Sequence, residues 1–173
     1  MDVVTDIRLA RSDADLASVR TLFELYAAGL PIDLGYQGFQ AELATLPGKY
    51  AEPAGCLLLA WRRGAPVGCV GLRPLDEPGL CEMKRLFVAP SARGSGLGLT
   101  LAAEAVNEAT RRGYRKLLLD TLATMTSAIA LYEQLGFEKT PPYYGPVPAG
   151  TIFMAKALSA GTTQDRVAGA GSA

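Results

Sequence analysis

The sequence of 173 residues contains no histidine. This absence excludes serine or cysteine nucleophiles activated by histidine, metal sites built on imidazole, and histidine as a general base. Any acid–base chemistry must therefore use a carboxylate, a tyrosine, a cysteine or water. We expect no metal site.

The sequence also lacks an excess of charge of either sign, because 17 basic residues balance 17 acidic residues. Proteins that bind nucleic acid normally carry a basic excess, so we expect no nucleic-acid partner. No apolar run is long enough to span a bilayer, and no basic segment leads into an apolar run at the start. We therefore expect no membrane partner and a cytoplasmic location.

Cysteine is scarce: Cys56, Cys69 and Cys81 stand singly within apolar stretches. Their odd number and the lack of a Cys-x-x-Cys spacing argue against a disulfide framework or a zinc site. We interpret them as reduced core thiols, which suits the cytoplasm.

What the chain does contain is an ordinary globular balance of 49% hydrophobic and 20% charged residues. Its length suits one domain with a sizeable core, which we predict over residues 1–158. Residues 159–173 are small, polar and rich in glycine and alanine, without periodicity. We expect them to form a disordered tail.

Apolar periodicity and turn residues divide the domain into strands and helices. Strands are predicted at 6–11, 56–62, 67–72, 80–88, 116–121, 137–140 and 151–158, and helices at 15–30, 38–46, 95–112 and from a Thr124 cap to Gly136. The early strands should pair antiparallel, whereas the strand–helix–strand run over 80–121 predicts a parallel, right-handed crossover. The fold class is α/β, with a mixed, twisted sheet of about six or seven strands and helices on both faces.

A glycine-rich turn joins the strand at 80–88 to the helix at 95–112. Glycine lets backbone N–H groups approach an anion, and the first N–H groups of a helix have no partner within it. The helix dipole and the charge of Arg93 add positive potential. The predicted seat for a pyrophosphate comprises Arg93, Gly94, Ser95, Gly96, Leu97, Gly98 and Leu99. A plain loop before a helix is the alternative, and neither the Walker nor the dinucleotide-binding spacing is present.

Two motifs resemble the GNAT superfamily of acyl-CoA-dependent N-acetyltransferases. The first is Arg93-x-x-Gly96-x-Gly98 after Val-Ala-Pro at 88–90, and the second is Ala-Ile-Ala-Leu-Tyr-Glu-Gln-Leu-Gly-Phe at 128–137. The resemblance covers about residues 6–158. It implies a GNAT-like fold with acetyl-CoA in a splayed gap between the strands at 80–88 and 116–121. Met125 stands where the family commonly has asparagine, and Thr121, Thr124 or Thr126 could replace that asparagine.

The strand at 80–88 carries Glu82, Lys84 and Arg85, although a covered central strand is usually apolar. Strict alternation would place Glu82 and Lys84 on the face of Leu86 and Val88, with Arg85 opposite. Because unpaired buried charges are costly, these charges must pair or reach a cleft. Glu82 is therefore either a structural ion-pair partner or a group of an acceptor pocket.

Two residues are candidates for catalytic roles, Glu82 from the chemistry of its carboxylate and Tyr132 with the support of the resemblance. Glu82 is our candidate for the base that removes a proton from the amine, through a water, and Tyr132 for the acid that protonates the departing thiolate. The resemblance implies that backbone N–H groups of Phe87 and Val88 polarise the thioester carbonyl. The alternative for Tyr132 is core packing, because it belongs to an apolar helical stripe. Cys81 has no histidine to activate it, so we expect direct attack without a covalent acyl-enzyme.

The acceptor is less well specified. Lys84 and Arg85 could hold a carboxylate and Tyr143 could line the pocket, which favours a small amino-acid-like amine. Tyr36, Tyr50 and Tyr144 are further candidates for that lining. Two other functions stay open: a non-catalytic acyl-CoA-binding regulatory module, and an acetyltransferase of protein N-termini or lysines. The oligomeric state is open too, and a homodimer is compatible with the sequence.

Overall fold

A seven-stranded sheet with the order β1-β2-β3-β4-β5-β7-β6 organises the computed structural model, which describes residues 4–159. The strands are β1 Thr5–Leu9, β2 Cys56–Arg62, β3 Ala65–Pro74, β4 Leu80–Val88, β5 Lys116–Leu122, β6 Glu138–Thr140 and β7 Thr151–Ala157. The helices are α1 Asp13–Ala28, α2 Phe39–Ala44, α3 Leu97–Arg111 and α4 Thr126–Gln134. Short 3₁₀ turns span Leu34–Gln37, Gly48–Tyr50 and Pro90–Ala92. The predicted tail lies outside the described residues except at its first position.

Strand pairing changes direction at the centre of the sheet. Strands β1 to β4 pair antiparallel in sequence order, and β4 then pairs parallel with β5. That parallel pairing covers only Leu80–Lys116, Cys81–Leu117 and Glu82–Leu118. Beyond Glu82 the two strands separate, and this opens the gap that the sequence predicted. The mixed α/β fold class is confirmed.

Helices cover both faces of the sheet, as predicted. Helix α3 buries Leu101, Ala102 and Ala105 in one apolar cluster, which also contains Cys81 and Met83 of β4. Helices α1 and α2 pack in a second cluster on the opposite face, with Val19, Phe23, Phe39 and Leu43. The amphipathic periodicity of α1 and α3 is therefore explained by burial against the sheet.

Two helix ends follow the chemistry that the sequence indicates. Ser12 and Asp15 form a capping box at the start of α1, and Gly113, with φ of 82°, follows the end of α3. The prediction that Thr124 caps α4 is wrong. Met125 occupies the N-cap position and provides no side-chain hydrogen bond.

The predicted strict alternation along β4 is also wrong. Cys69 of β3 pairs with Phe87 and Gly71 pairs with Lys84, so one residue of β3 faces two residues of β4. This is a β-bulge, and Arg85 adopts a φ of 61° within it. The extra residue restarts the alternation after Lys84.

The bulge changes which side chains share a face. Lys84 and Arg85 lie on the same side, because both donate hydrogen bonds to Gln37. Leu86 and Val88 pack with the cluster under α3, away from the side chain of Lys84. The bulge therefore brings adjacent cations together on the α1 side of the sheet.

Candidate active site

The glycine-rich turn at 93–96 is shaped as an anion seat. Gly94 and Gly96 adopt φ of 77° and 78°, values that residues other than glycine rarely adopt. Helix α3 begins at Leu97 without a side-chain cap, so the N–H groups of its first turn are available to an anion.

Two arginines flank this turn. Arg93 donates through Nε to the carbonyl of Val88 at 3.0 Å and lies over the ring of Phe87. Arg62 donates to Oγ of Ser95 at 3.1 Å, and that hydroxyl donates in turn to the carbonyl of Ala92. Arg62 is distant in sequence and was not predicted for this site.

A cavity of about 430 Å³, which we call the outer cavity, adjoins the turn in the gap between β4 and α4. Its lining includes Leu86, Val88, Arg93, Gly98, Thr124 and Leu131. A Cβ on Gly98 would lie 3.3 Å from Cδ1 of Leu131, so the absence of a side chain there allows α3 and α4 to approach closely. This mainly apolar channel beside an anion seat fits the pantetheine and diphosphate of coenzyme A.

A smaller cavity of about 70 Å³, the inner cavity, lies deeper in the same gap. It shares Tyr26, Leu30, Leu86, Met125 and Ala128 with the outer cavity, so the two adjoin. Its polar lining comes from several elements and consists of Tyr26, Tyr36, Gln37, Lys84, Arg85, Asp120, Thr121 and Tyr132.

Tyr132 of α4 is packed in the core and also lines the inner cavity. Its ring contacts Phe137 edge-on, with centroids 5.8 Å apart, and the residue is 8% exposed. Burial raises the pKa of the phenol well above its ordinary value. Tyr132 therefore presents a protonated hydroxyl, and the two interpretations drawn from the sequence are compatible.

Met125, which stands where the family commonly has asparagine, lines both cavities. Its sulfur lies 3.7 Å from Oγ1 of Thr121. Thr124 and Thr126 line the outer cavity. All three threonines named from the sequence are therefore close to Met125, the position where the family commonly has an asparagine side chain.

Glu82 is completely buried and fully partnered. Nε and Nη2 of Arg73 each lie 2.8 Å from its Oε1, Nζ of Lys84 lies 3.8 Å from the same oxygen, and the hydroxyl of Tyr143 donates to Oε2. Glu82 and Tyr143 do not belong to the lining of the inner cavity. This geometry favours the ion-pair alternative for Glu82, and it does not bring Tyr143 to the cavity as the sequence had suggested.

Asp120 of β5 is the carboxylate that lines the inner cavity. The hydroxyl of Tyr144 donates to its Oδ2 at 3.0 Å, and Nζ of Lys84 lies 3.7 Å from Oδ1. The sequence reasoning missed Asp120. The available signal was a carboxylate directly after the apolar run at 117–119, near the carboxyl end of the strand Lys116–Leu122.

The predicted acceptor cations, Lys84 and Arg85, are buried beside this cavity. Burial lowers the pKa of Lys84, although Glu82 and Asp120 act in the opposite direction. Burial also lowers the pKa of Arg85, but the carboxylate of Glu42, which accepts from its Nε at 3.0 Å, outweighs that effect. Three cations and three carboxylates therefore neutralise one another around the cavity: Arg73, Lys84 and Arg85 with Glu42, Glu82 and Asp120.

The fold and the two adjoining cavities define an acyl-CoA-dependent acyltransferase. The model of the acetyltransferase (GNAT) family matches residues 19–137. The chain belongs to this family, and it is an N-acetyltransferase that uses acetyl-CoA.

Individual relatives agree with that assignment. An uncharacterised N-acetyltransferase of Schizosaccharomyces pombe is 39% identical over 147 residues, which cover 84% of this chain and 90% of that protein. An IAA acetyltransferase of Azospirillum brasilense is 40% identical over 110 residues, or 62% of this chain and 71% of that protein.

A solved acetyltransferase structure from Salmonella typhimurium with its cofactor acetyl-CoA is similar in fold, with a TM-score of 0.66 and 22% identity. The match covers 94% of this chain and 98% of that one.

Proposed function

We propose that this enzyme acetylates the primary amine of a small, amino-acid-like metabolite by direct attack on acetyl-CoA. The observation that carries the proposal is the small inner cavity, lined by Asp120 and Tyr132 and adjoining the outer cavity. At about 70 Å³ it suits a small amine better than a peptide segment.

Asp120 is the group best placed to take a proton from the acceptor. A free alkylamine such as that of lysine has a pKa of about 10.4 and is mostly protonated at neutral pH, so it must lose a proton before it attacks. The carboxylate of Asp120 can first pair with the ammonium and then accept its proton, directly or through one water. Acetyl-CoA supplies the thioester that the free amine attacks.

The backbone of β4 supports polarisation of the thioester carbonyl. Ala89 donates its N–H to Val67 of β3, so alternation turns the N–H of Val88 toward the gap and that of Phe87 toward β3. The carbonyl would therefore meet the N–H of Val88, while Phe87 contributes its ring beneath Arg93. Both residues were assigned together from the sequence, and the strand direction separates their roles.

Tyr132 would donate a hydrogen bond to the sulfur as the thiolate forms. Because its pKa is raised by burial, its proton is present throughout the neutral range. Arg93 and the amides at 94–99 would hold the diphosphate.

The sequence-based assignment of Glu82 as the base stays a prediction. Its buried pairing with Arg73 supports a structural role instead. Neutralising Glu82 and Asp120 in separate variants distinguishes their roles. Lys84 and Arg85 are both partnered, so an acceptor carboxylate would have to compete with Asp120 or Glu42 for them.

An acetyl-CoA turnover screen against amines, amino acids and short peptides tests the proposal. CoA release can be followed with a thiol reagent, because the three cysteines of the protein are buried. We expect turnover with small primary amines. Binding of acetyl-CoA without turnover of any acceptor would support the regulatory module, and turnover of peptides alone would support an N-terminal or lysine acetyltransferase.

The cellular location is part of the proposal. Among the described residues, 4–159, there is no helix with the length and apolar character needed to cross a bilayer. The free, buried thiols at Cys56, Cys69 and Cys81 suit a reducing compartment, and we place the enzyme in the cytoplasm.

A further inference from the structure

Gln37 lies at the end of the 3₁₀ turn Leu34–Gln37, in the segment that connects α1 to α2. Its side chain reaches the polar residues of β4, β5 and the loop before β7. It lines the inner cavity together with Asp120 and Tyr132, although no motif in the sequence singles it out.

The amide oxygen of Gln37 faces cations. It accepts from Nζ of Lys84 at 3.1 Å and from Nη1 of Arg85 at 2.7 Å. Lysine and arginine only donate hydrogen bonds, so the chemistry of these partners fixes the orientation of the amide. Charged donors also make stronger bonds than neutral ones, and this attaches the 3₁₀ turn firmly to β4.

The amide nitrogen faces three acceptors, one within the same turn and two on distant parts of the chain. It lies 2.8 Å from the hydroxyl of Tyr36, 3.0 Å from that of Tyr144 and 3.3 Å from Oδ2 of Asp120. An amide nitrogen carries two N–H groups, so the three acceptors cannot all be satisfied at once. Asp120 has the longest of these distances and keeps a second donor in Tyr144.

This imbalance allows an exchange of partners. An acceptor ammonium that pairs with Asp120 can replace the N–H of Gln37, which then keeps Tyr36 and Tyr144 as partners. No buried donor is left unpaired by the exchange, and such a loss would otherwise be costly.

We propose that Gln37 is a positioning residue that fastens the turn Leu34–Gln37 over the inner cavity and, before the acceptor binds, holds the carboxylate of Asp120 in place for the acceptor amine. The fastening stands on the hydrogen bonds alone. The orientation of Asp120 rests on the proposed function, in which that carboxylate receives the acceptor proton.

Two substitutions separate fastening from orientation. Gln37→Ala removes both, whereas Gln37→Glu keeps an oxygen for Lys84 and Arg85 but removes the donor and adds negative charge beside Asp120. Gln40→Ala is the matched control, because Gln40 belongs to the adjacent helix α2 and is exposed. Near-UV circular dichroism and thermal melting verify that each variant is folded.

Hydrogen–deuterium exchange of the peptide spanning residues 34–44 tests the fastening without any assay of activity. We expect about tenfold faster exchange in Gln37→Ala, since bonds to charged groups are lost, and exchange close to wild type in Gln37→Glu and Gln40→Ala. Unchanged exchange in Gln37→Ala would overturn the fastening.

Kinetics test the orientation. We expect Gln37→Glu to lower kcat/KM for the acceptor about tenfold, on the scale of one hydrogen bond to a charged group, with the KM for acetyl-CoA unchanged. Wild-type kcat/KM in Gln37→Glu, or an equal effect on both substrates, would overturn the orientation. If wild-type enzyme turned over no amine, the proposed function and the orientation would fail together, and the exchange result would still decide the fastening.

Discussion

Arg73 and Glu82 form a buried ion pair in which Nε and Nη2 of the arginine both lie 2.8 Å from one carboxylate oxygen. The pair joins neighbouring strands, since Arg73 is opposite Glu82 in the register of β3 and β4. With the hydroxyl of Tyr143 on the other oxygen, Glu82 has no free position that faces the inner cavity. We therefore expect Glu82 to act within the sheet as an ion-pair partner, and another group to exchange protons with the substrate.

The carboxylates Glu82 and Asp120 should therefore respond differently to neutralisation. Glu82→Gln leaves Arg73 and Lys84 without a full counter-charge, so we expect a loss of roughly 3 kcal/mol in the free energy of unfolding. Asp120→Asn should lower turnover about 100-fold, in the range of general base catalysis, with a smaller loss of stability. Urea denaturation and steady-state kinetics on both variants measure this contrast.

Binding of acetyl-CoA is the control for this pair, because neither carboxylate lines the outer cavity. Calorimetry should give wild-type affinity for folded Asp120→Asn. A large loss of turnover in Glu82→Gln, with intact stability and cofactor affinity, would instead restore Glu82 as the base.

Tyr132→Phe should distinguish the contribution of the Tyr132 hydroxyl from that of its ring, because it removes only the hydroxyl. The ring keeps its edge contact with Phe137, so stability should not change, whereas turnover should fall about 100-fold through loss of the acid. Because burial raises the pKa of Tyr132, the wild-type rate should show no alkaline decline from this group below about pH 10. A decline near pH 8 that disappears in Tyr132→Phe would contradict the assignment.

Gly96 and Gly113 provide a matched test of the anion seat. They adopt φ of 78° and 82°, and a Cβ at either position would meet nothing within 4 Å. Alanine at each should therefore cost a similar ~1 kcal/mol of stability from backbone strain. Gly96→Ala should also weaken acetyl-CoA about tenfold, or ~1.4 kcal/mol, because a methyl group enters the seat.

Gly113→Ala should leave that affinity unchanged, since Gly113 follows the opposite end of α3. Calorimetric titration of both variants with acetyl-CoA makes the comparison. Equal losses of affinity would mean that the turn binds no diphosphate.

The buried thiols predict the alkaline limit of stability. Burial raises the pKa of Cys56 to about 11 and that of Cys81 to about 12, from an ordinary 9.0. Both thiols stay protonated in the folded protein while the unfolded chain ionises, so the unfolded state binds fewer protons above pH 9. Their contribution to stability is complete below pH 9 and is lost as the pH rises toward 11 and 12.

Unfolding in urea at pH 7, 9, 10 and 11 measures this loss. Cys81→Ala should show a shallower decline above pH 9 than wild type, by at most 1.36 kcal/mol per pH unit for one group. An identical slope in the variant would show that Cys81 ionises alike in both states.

Much of the fold is determined by residues that are close together in the sequence, which explains why the sequence predicted it. Strands β2 and β4 begin and end at the residues that the sequence predicted, and the glycine-rich turn stands before α3 as expected. Prediction failed at the start of α4, where no side chain forms a capping hydrogen bond. The cap assigned to Thr124 is therefore not found in the structure.

The catalytic surroundings depend on contacts between distant parts of the chain. Asp120 meets Gln37 across 83 positions, and Tyr143 meets Glu82 across 61. Glu82 was noticed because it is charged within a central strand, but its pairing with Arg73 depends on the register of β3 against β4. Sequence periodicity shows which face of a strand a side chain occupies, but not which residue of the neighbouring strand lies opposite it.

The bulge at Arg85 divides β4 into two half-strands that are out of phase with each other. On the α1 side the first half displays even-numbered positions, such as Glu82 and Lys84, and the second half displays odd-numbered positions, such as Phe87. Deletion of a single residue at Arg85 would bring the halves back into phase. The side chains of Leu86, Phe87 and Val88 would then each point to the opposite face of the sheet. The strand could then orient correctly either Glu82 and Lys84 in its first half or the residues beside the outer cavity in its second half, but not both.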